Sequence, residues 1–223
     1  MSINDLYTLW LYIIGKNLQQ GYGSPDDFNL LINQGSRSYA AWLLGSFQQY
    51  TPGRPVARVE LGQNSVVRQR LAPIIYGYVL TIDGNGAAPY PGDFLQVDAM
   101  WKTTGMNRIR YADQHKLASI YGSTIDPIST NPIYVLEDSG FVFYPSNTAN
   151  AKLHYVKDPP EMRWSYTLDS NGLPVYDEAT SVQPIWDQVA IFEVLTRALM
   201  LAGINLQTQV VMAYAQEVKN SGQ

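Results

Sequence analysis

Apolar residues recur at helical spacing at both ends of this chain and at strand spacing between them. Near the start, Leu6, Leu9, Trp10, Ile13 and Leu18 predict a helix that ends near Gly21. A second helix is announced by Ser24-Pro25-Asp26-Asp27: an N-cap, a proline at the first helical position, and two acids facing the positive helix end. Its pattern continues to about Gln49, with Gly35 as a weak point. Thr51-Pro52-Gly53-Arg54-Pro55 then breaks the helical period.

Residues 64–72 predict a short helix before Pro73. Beyond it the period changes. Ile-Ile-Tyr-Gly-Tyr-Val-Leu-Thr-Ile, residues 74–82, reads as a strand, and Asp83-Gly84-Asn85-Gly86 has strong turn chemistry. Tyr90-Pro91-Gly92-Asp93 leads through Phe94, Leu95, Gln96 and Val97 into another strand that ends at Trp101. Residues 107–111 read as a strand and 112–121 as a short helix. Three further strands are expected at 133–137, 140–144 and 152–156. Asp169-Ser170-Asn171-Gly172 predicts the turn at the tip of a long arm, 164–176.

After Gln183-Pro184 the helical period returns. One stripe uses Ile185, Val189, Phe192, Leu195 and Leu199, a second Ile191, Val194, Ala198 and Leu201, and Glu193 and Arg197 stand four apart as a surface pair. A helix apolar on most of its circumference is expected to be buried on more than one side. Gly203 is its expected stop, and Leu206, Val210, Tyr214 and Val218 predict one more helix. Short helix pairs cannot each bury their apolar faces alone, so packing the two ends together is the economical solution. The expected fold class is α+β. Residues 1–53 and 184–223 form a helical bundle lobe. Residues 54–183 form an inserted, mainly antiparallel β domain with a short helix and a long arm at about 161–183.

Composition sharpens this picture. The 223 residues are 46% hydrophobic but only 15% charged, against roughly 25% in an ordinary soluble domain. That shortfall suggests surface that does not stay in water. A formal charge of −4 and a pI near 5.1 argue against an electrostatic grip on nucleic acid. With no cysteine, disulfides, thiolate metal sites and a cysteine nucleophile are excluded. Sixteen tyrosines and five tryptophans supply the residue type enriched at protein contacts. The first residues lack a basic n-region and a small-residue cleavage site, and the apolar run between Asp5 and Lys16 is shorter than the roughly 20 residues of a membrane span. The chain therefore reads as soluble and unprocessed.

Candidate chemistry is sparse. His115 and His154 have no ligand partner at metal-binding spacing, and alternation puts Lys152, His154 and Val156 on one strand face. No serine stands in a Gly-x-Ser-x-Gly elbow. Gly84-Asn85-Gly86 and Gly21-Tyr22-Gly23 lack the rest of a phosphate loop and read as turns. In Asp169-Ser170-Asn171-Gly172 the glycine comes too early for a calcium loop. Asp26/Asp27 and Glu137/Asp138 are adjacent, so their side chains diverge and make no acid–base couple. The expectation is a non-enzyme with no catalytic, cofactor-binding or metal site. Arg54, Arg58, Arg68 and Arg70 form the one basic concentration, either a solvated face or a contact with an acidic neighbouring subunit.

Taken in order, several segments resemble head–tail connector proteins of tailed bacteriophages. Tyr90-Pro91-Gly92-Asp93-Phe94-Leu95 is similar to a Tyr-Pro-x-Asp-Phe element of that group, with Gly92 where alanine or another small residue is frequent. The segment 108–117 follows, then Asn131-Pro132-Ile133-Tyr134, then a glycine-led strand ending at Pro145, then Leu153-His154-Tyr155-Val156-Lys157-Asp158-Pro159-Pro160. The progression, roughly 74–219, looks like the adaptor or ring proteins beneath a phage portal, similar to tubular tail protein A of short-tailed phages and ring proteins of crAss-like phages. That resemblance implies a virion protein of the phage neck or tail, made in the host cytoplasm. It implies a homo-oligomeric ring, commonly a dodecamer, that contacts the portal protein and the next tail or ring protein, with DNA passing through its channel without specific binding and no membrane partner. An acidic chain suits a conduit that must not hold its cargo. On this reading Arg54, Arg58, Arg68, Arg70, Trp164, Tyr166 and Tyr176 are expected at subunit contacts, and the arm orders on assembly. The alternatives are another structural virion component, such as a tail-completion or minor capsid protein, or a tail-borne glycan hydrolase, which would need two carboxylates about 5–9.5 Å apart across a cleft.

Overall fold

The computed structural model describes residues 1–17, 24–45, 65–105, 107–120, 127–128, 130–148 and 150–203. The chain is mixed α+β and divides into two compact units, Met1–Pro73 with Pro159–Gln223, and Ile74–Asp158. Both boundaries differ from expectation: the short helix before Pro73 and the arm 161–183 belong with the helices, not with the β unit. Leu18, Gly21 and the helix expected around 206–218 lie outside the described residues.

In the helical unit, α1 (Ile3–Asn17) buries Ile3, Leu6, Tyr7, Trp10 and Ile14, a face rotated from the expected one, with Leu9 and Ile13 at its margin. Helix α2 (Pro25–Leu43) starts at a reciprocal capping box: the Ser24 hydroxyl accepts from the Asp27 N–H, and the Asp27 carboxylate accepts from the Ser24 N–H. It stops earlier than expected, because the chain turns at Leu44-Gly45, where the Leu44 N–H still donates to the Ala40 carbonyl. A short α3 (Ser65–Leu71) follows. Helix α5 (Gln188–Leu201) is capped by Asp187, whose carboxylate accepts from the Ala190 N–H at 2.7 Å.

Gly35 is no weak point. It is buried where α2 meets α5, and a Cβ there would lie 2.6 Å from the Val194 carbonyl oxygen and 3.1 Å from the Ala198 nitrogen. The missing side chain lets the two backbones touch. One residue on, the buried Ser36 hydroxyl accepts from the Trp186 indole N–H at 2.8 Å, and Tyr39 meets the Trp186 ring edge-on at 5.1 Å.

The arm is fastened to α2 by two asparagines one helical turn apart. The Asn29 amide donates to the Trp164 carbonyl (3.0 Å) and accepts from the Trp164 N–H (2.8 Å). The Asn33 amide does the same for Met162, both at 2.8 Å. The spacing explains the fit: four helical residues advance about 6 Å and two extended residues about 6.6 Å. Each side-chain amide thus takes the place of a neighbouring strand's peptide group. Past this anchor, β8 (Tyr166–Leu168) and β9 (Pro174–Tyr176) form an antiparallel hairpin, and an Arg163–Val182 bridge closes its base.

The β unit has two sheets. One has the order β1 (Ile75–Leu80), β7 (Ala151–Lys157), β3 (Phe94–Lys102), all antiparallel. The other runs β2 (Ala87–Pro89), β6 (Gly140–Tyr144), β5 (Ile133–Glu137), β4 (Arg110–Tyr111), with β4 parallel to β5. Leu80, Met100, Leu153 and Tyr155 from the first sheet and Ala88, Tyr134, Phe141 and Phe143 from the second share one core. The short helix α4 (Gln114–Ile120) is exposed on most of its surface.

Two Asp-x-Asn-Gly turns adopt the same hydrogen-bond pattern. Asp83 Oδ1 accepts from the Asn85 and Ala87 N–H groups, and Asp169 Oδ1 from those of Asn171 and Leu173. Both fourth-position glycines, Gly86 and Gly172, take positive φ (84° and 77°), which only glycine adopts without strain. The Asp169 carboxyl is held below its usual pKa by the Leu173 and then the Asn171 N–H bonds. It is organised as a turn anchor.

The Tyr90–Leu95 segment is a corner. The Phe94 N–H donates to the Pro91 carbonyl, and the Tyr90 and Phe94 rings stack at 4.8 Å. Tyr90 donates its hydroxyl to the Glu137 carbonyl; Asp93 accepts from the Tyr155 hydroxyl at 2.7 Å and, through its carbonyl, from the Asp158 N–H. Burial is the main cause that raises the pKa of Tyr90, Tyr134 and Tyr155, with Tyr134 pushed up to about 12. A raised tyrosine favours the folded state fully below pH 10 and loses that contribution as pH climbs through the folded value. The β unit should therefore lose stability between pH 10 and 12, with Tyr134 alone accounting for about 2–3 kcal/mol. Urea midpoints at pH 9 and 11 check this: Tyr134→Phe should flatten the fall, and an unchanged slope refutes the assignment.

Candidate interaction surfaces

The expected contact residues fall into three groups. Arg54 and Arg58 lie outside the described residues. Arg68 and Arg70 are half-buried on α3, and the Arg70 charge lies near enough to the buried Tyr39 hydroxyl to pull its pKa down against the burial that raises it. That hydroxyl nonetheless makes no hydrogen bond of ordinary geometry. The arm aromatics turn inward. Trp164 is 3% exposed, stacks on Tyr7 at 4.0 Å and donates its indole N–H to Asn4. Tyr166 and Tyr176 face each other across the hairpin and both stack on Trp164 at 5.7 Å. Trp164 is thus covered by its own chain and offers little to a neighbour. Tyr166 and Tyr176 are half-buried.

The large hydrophobic side chains that the arm shows to solvent are aliphatic: Leu168 (64%), Leu173 (60%), Val175 and Val182. A two-stranded hairpin carrying such residues is marginal alone and gains by being covered. Helix α5 holds a second apolar surface. Its inward face, Ala190, Ile191, Val194, Leu195, Ala198 and Leu199, is buried, but Val189 (64%), Phe192 (45%), Met200 and Leu201 are exposed, contrary to the expectation of burial on more than one side. The reason is local: α2 covers one face of α5, and among the described residues nothing covers the opposite one. A cleft of about 440 Å³ opens there, lined by Gln188, Val189, Phe192, Glu193 and Thr196. Arg197 lies over the Tyr39 and Trp42 rings and 3.7 Å from Glu193. In the β unit the edge strand β1 shows Tyr76, Tyr78 and Val79 to solvent.

Periodicity missed these surfaces because it registers that a residue is apolar, not whether a partner stands opposite. It also missed a polar cleft of about 430 Å³ lined by Asn107, Arg108, Arg110, Thr130 and Asn131. Neither cleft carries a pair of carboxylates. His115 is exposed on α4. His154 is half-buried on β7, its ring 4.4 Å from Trp101 and packed against Gly77. Among the described residues no group of three or more His, Asp or Glu is placed to hold a metal ion, and no helix is long and apolar enough to cross a membrane. Compared with protein families and with curated proteins, the chain matches no family model and no curated sequence.

Proposed function

We propose that this chain is a structural virion protein, one subunit of a head–tail connector ring beneath the portal of a tailed bacteriophage, joining capsid to tail and forming part of the DNA channel. On this reading neighbouring copies cover the exposed arm and the outer face of α5. The observation that carries the proposal is the corner at Asp93. Two of the segments that resemble connector proteins, Tyr90–Leu95 and Leu153–Pro160, are joined by the hydrogen bond between Tyr155 and Asp93, which stand 62 residues apart in the chain. Two of the strings that carry the likeness thus meet at one corner of the β unit. Exposed aliphatic side chains on the arm and α5 support it further, since rings need two different contact faces per subunit.

Sedimentation and negative-stain electron microscopy of the purified chain, alone over a wide concentration range and with portal protein, test the proposal. Closed rings of identical subunits are expected. A monomer under every condition, including with portal protein, refutes it.

A further inference from the structure

The polar cleft of the β unit has a feature that the ring reading does not use. Arg108 and Arg110 flank the buried Ile109, so extended geometry sends both side chains outward, and both are exposed. Neither forms an ion pair with a carboxylate among the described residues. The Asn107 amide donates to the Thr130 carbonyl across the cleft, and Tyr111 (43%) and Ile128 (57%) stand exposed at its edge. Two arginine forks beside amides and flanking apolar surface are suited to a carboxylate-bearing, partly apolar segment.

The same chain carries such a segment. Residues 161–183 hold Glu161, Asp169, Asp177 and Glu178 against the single base Arg163, a net of −3 out of the −4 of the entire chain. All the remaining residues together carry a net of −1, so most of the net acidity of the chain falls in this arm. The hairpin also presents Leu168, Leu173 and Val175 to solvent. We propose that the Arg108–Arg110 cleft receives the acidic hairpin arm of a second copy of this chain. The inference rests on the connector-ring reading and specifies its subunit contact. Cleft and arm are different surfaces, so each subunit gives one and receives the other, the heterologous contact that closes into a ring. Nucleic-acid phosphate is the less fitting occupant: two arginines on an acidic chain are far from the clustered basic surface that grips a phosphate backbone.

The absence of cysteine permits a clean test. Full-length Ile128→Cys and full-length Leu173→Cys, each with a single thiol, are mixed under oxidising conditions in which the parent chain assembles. Only an intermolecular contact can join them. The expected result is a disulfide-linked pair forming at least about tenfold faster than between Ile128→Cys and the exposed α2 control Leu30→Cys, because docking raises the local thiol concentration. Adding Arg108→Glu and Arg110→Glu to the Ile128→Cys chain should abolish the advantage, and Glu178→Lys on the arm should recover part of it. A rate no faster than the control, or one unaffected by the two charge reversals while the parent still forms rings, overturns this inference and leaves the ring reading standing. A parent chain that never self-associates overturns both. Binding of labelled double-stranded DNA that Arg108→Gln/Arg110→Gln removes, with assembly unchanged, assigns the cleft to phosphate and also overturns it.

Discussion

Gly35→Val is expected to destabilise the helical unit by about 3–5 kcal/mol and Gly35→Ala by about 1–2 kcal/mol, although alanine is the better helix former by about 1 kcal/mol. The new Cβ would stand 2.6 Å from the Val194 carbonyl oxygen and 3.1 Å from the Ala198 nitrogen. Those are backbone atoms of α5 and cannot rotate aside, so the helices must move apart along a contact that also holds Ser36, Tyr39 and Trp186. Gly15 in α1 is the control: a Cβ there meets nothing within 4 Å, so Gly15→Ala should stabilise by up to about 1 kcal/mol. Four of the five tryptophans, Trp10, Trp42, Trp164 and Trp186, lie in the helical unit, so urea unfolding followed by their fluorescence in a Trp101→Phe background reads it selectively. Equal or greater stability for Gly35→Ala would mean that α2 and α5 do not meet this closely.

Asn29→Leu and Asn33→Leu should each destabilise the chain by about 2–4 kcal/mol, because each strands one N–H and one carbonyl that are partly buried on the arm. Asn29→Asp keeps the acceptor for the Trp164 N–H but replaces the donor with a second acceptor facing the Trp164 carbonyl. It should lie between the parent and Asn29→Leu. Hydrogen exchange at the Met162 and Trp164 amides supplies the local readout: protection should fall there before it falls in the β unit. A neutral Asn33→Leu with unchanged protection at Met162 would show that some other contact holds the arm.

Much of the fold is legible in order along the chain. Ser24, Pro25 and Asp27 mark the start of α2 by local hydrogen bonding, and the Asp-x-Asn-Gly turns at 83–86 and 169–172 close through their own carboxylates and glycines. Such signals involve residues a few positions apart. The short strand β2 escaped notice because three residues, Ala87–Pro89, carry too little alternation to register. The inward turn of Trp164 escaped for a different cause. Its partners Tyr7, Asn4 and Asn29 lie more than 130 positions away, so composition marks the tryptophan as sticky without saying to what.

The contact residues divide in the same way. Arginine and tryptophan are reasonable choices for a protein interface, yet Trp164 became core and Arg70 lies beside Tyr39, while Leu168, Leu173, Val189 and Phe192 were left outside. By itself the sequence determined where α2 begins, where the chain turns at 83–86 and 169–172 and which chemistries cysteine-free composition forbids, because those depend on backbone preference and on neighbours within a turn or a hairpin. Only the tertiary structure decided which apolar residues are covered, that Gly35 is a point of contact, and that Asn29 and Asn33 bind the arm. Burial and amide pairing depend on what stands opposite in space, and a linear order does not carry that distance.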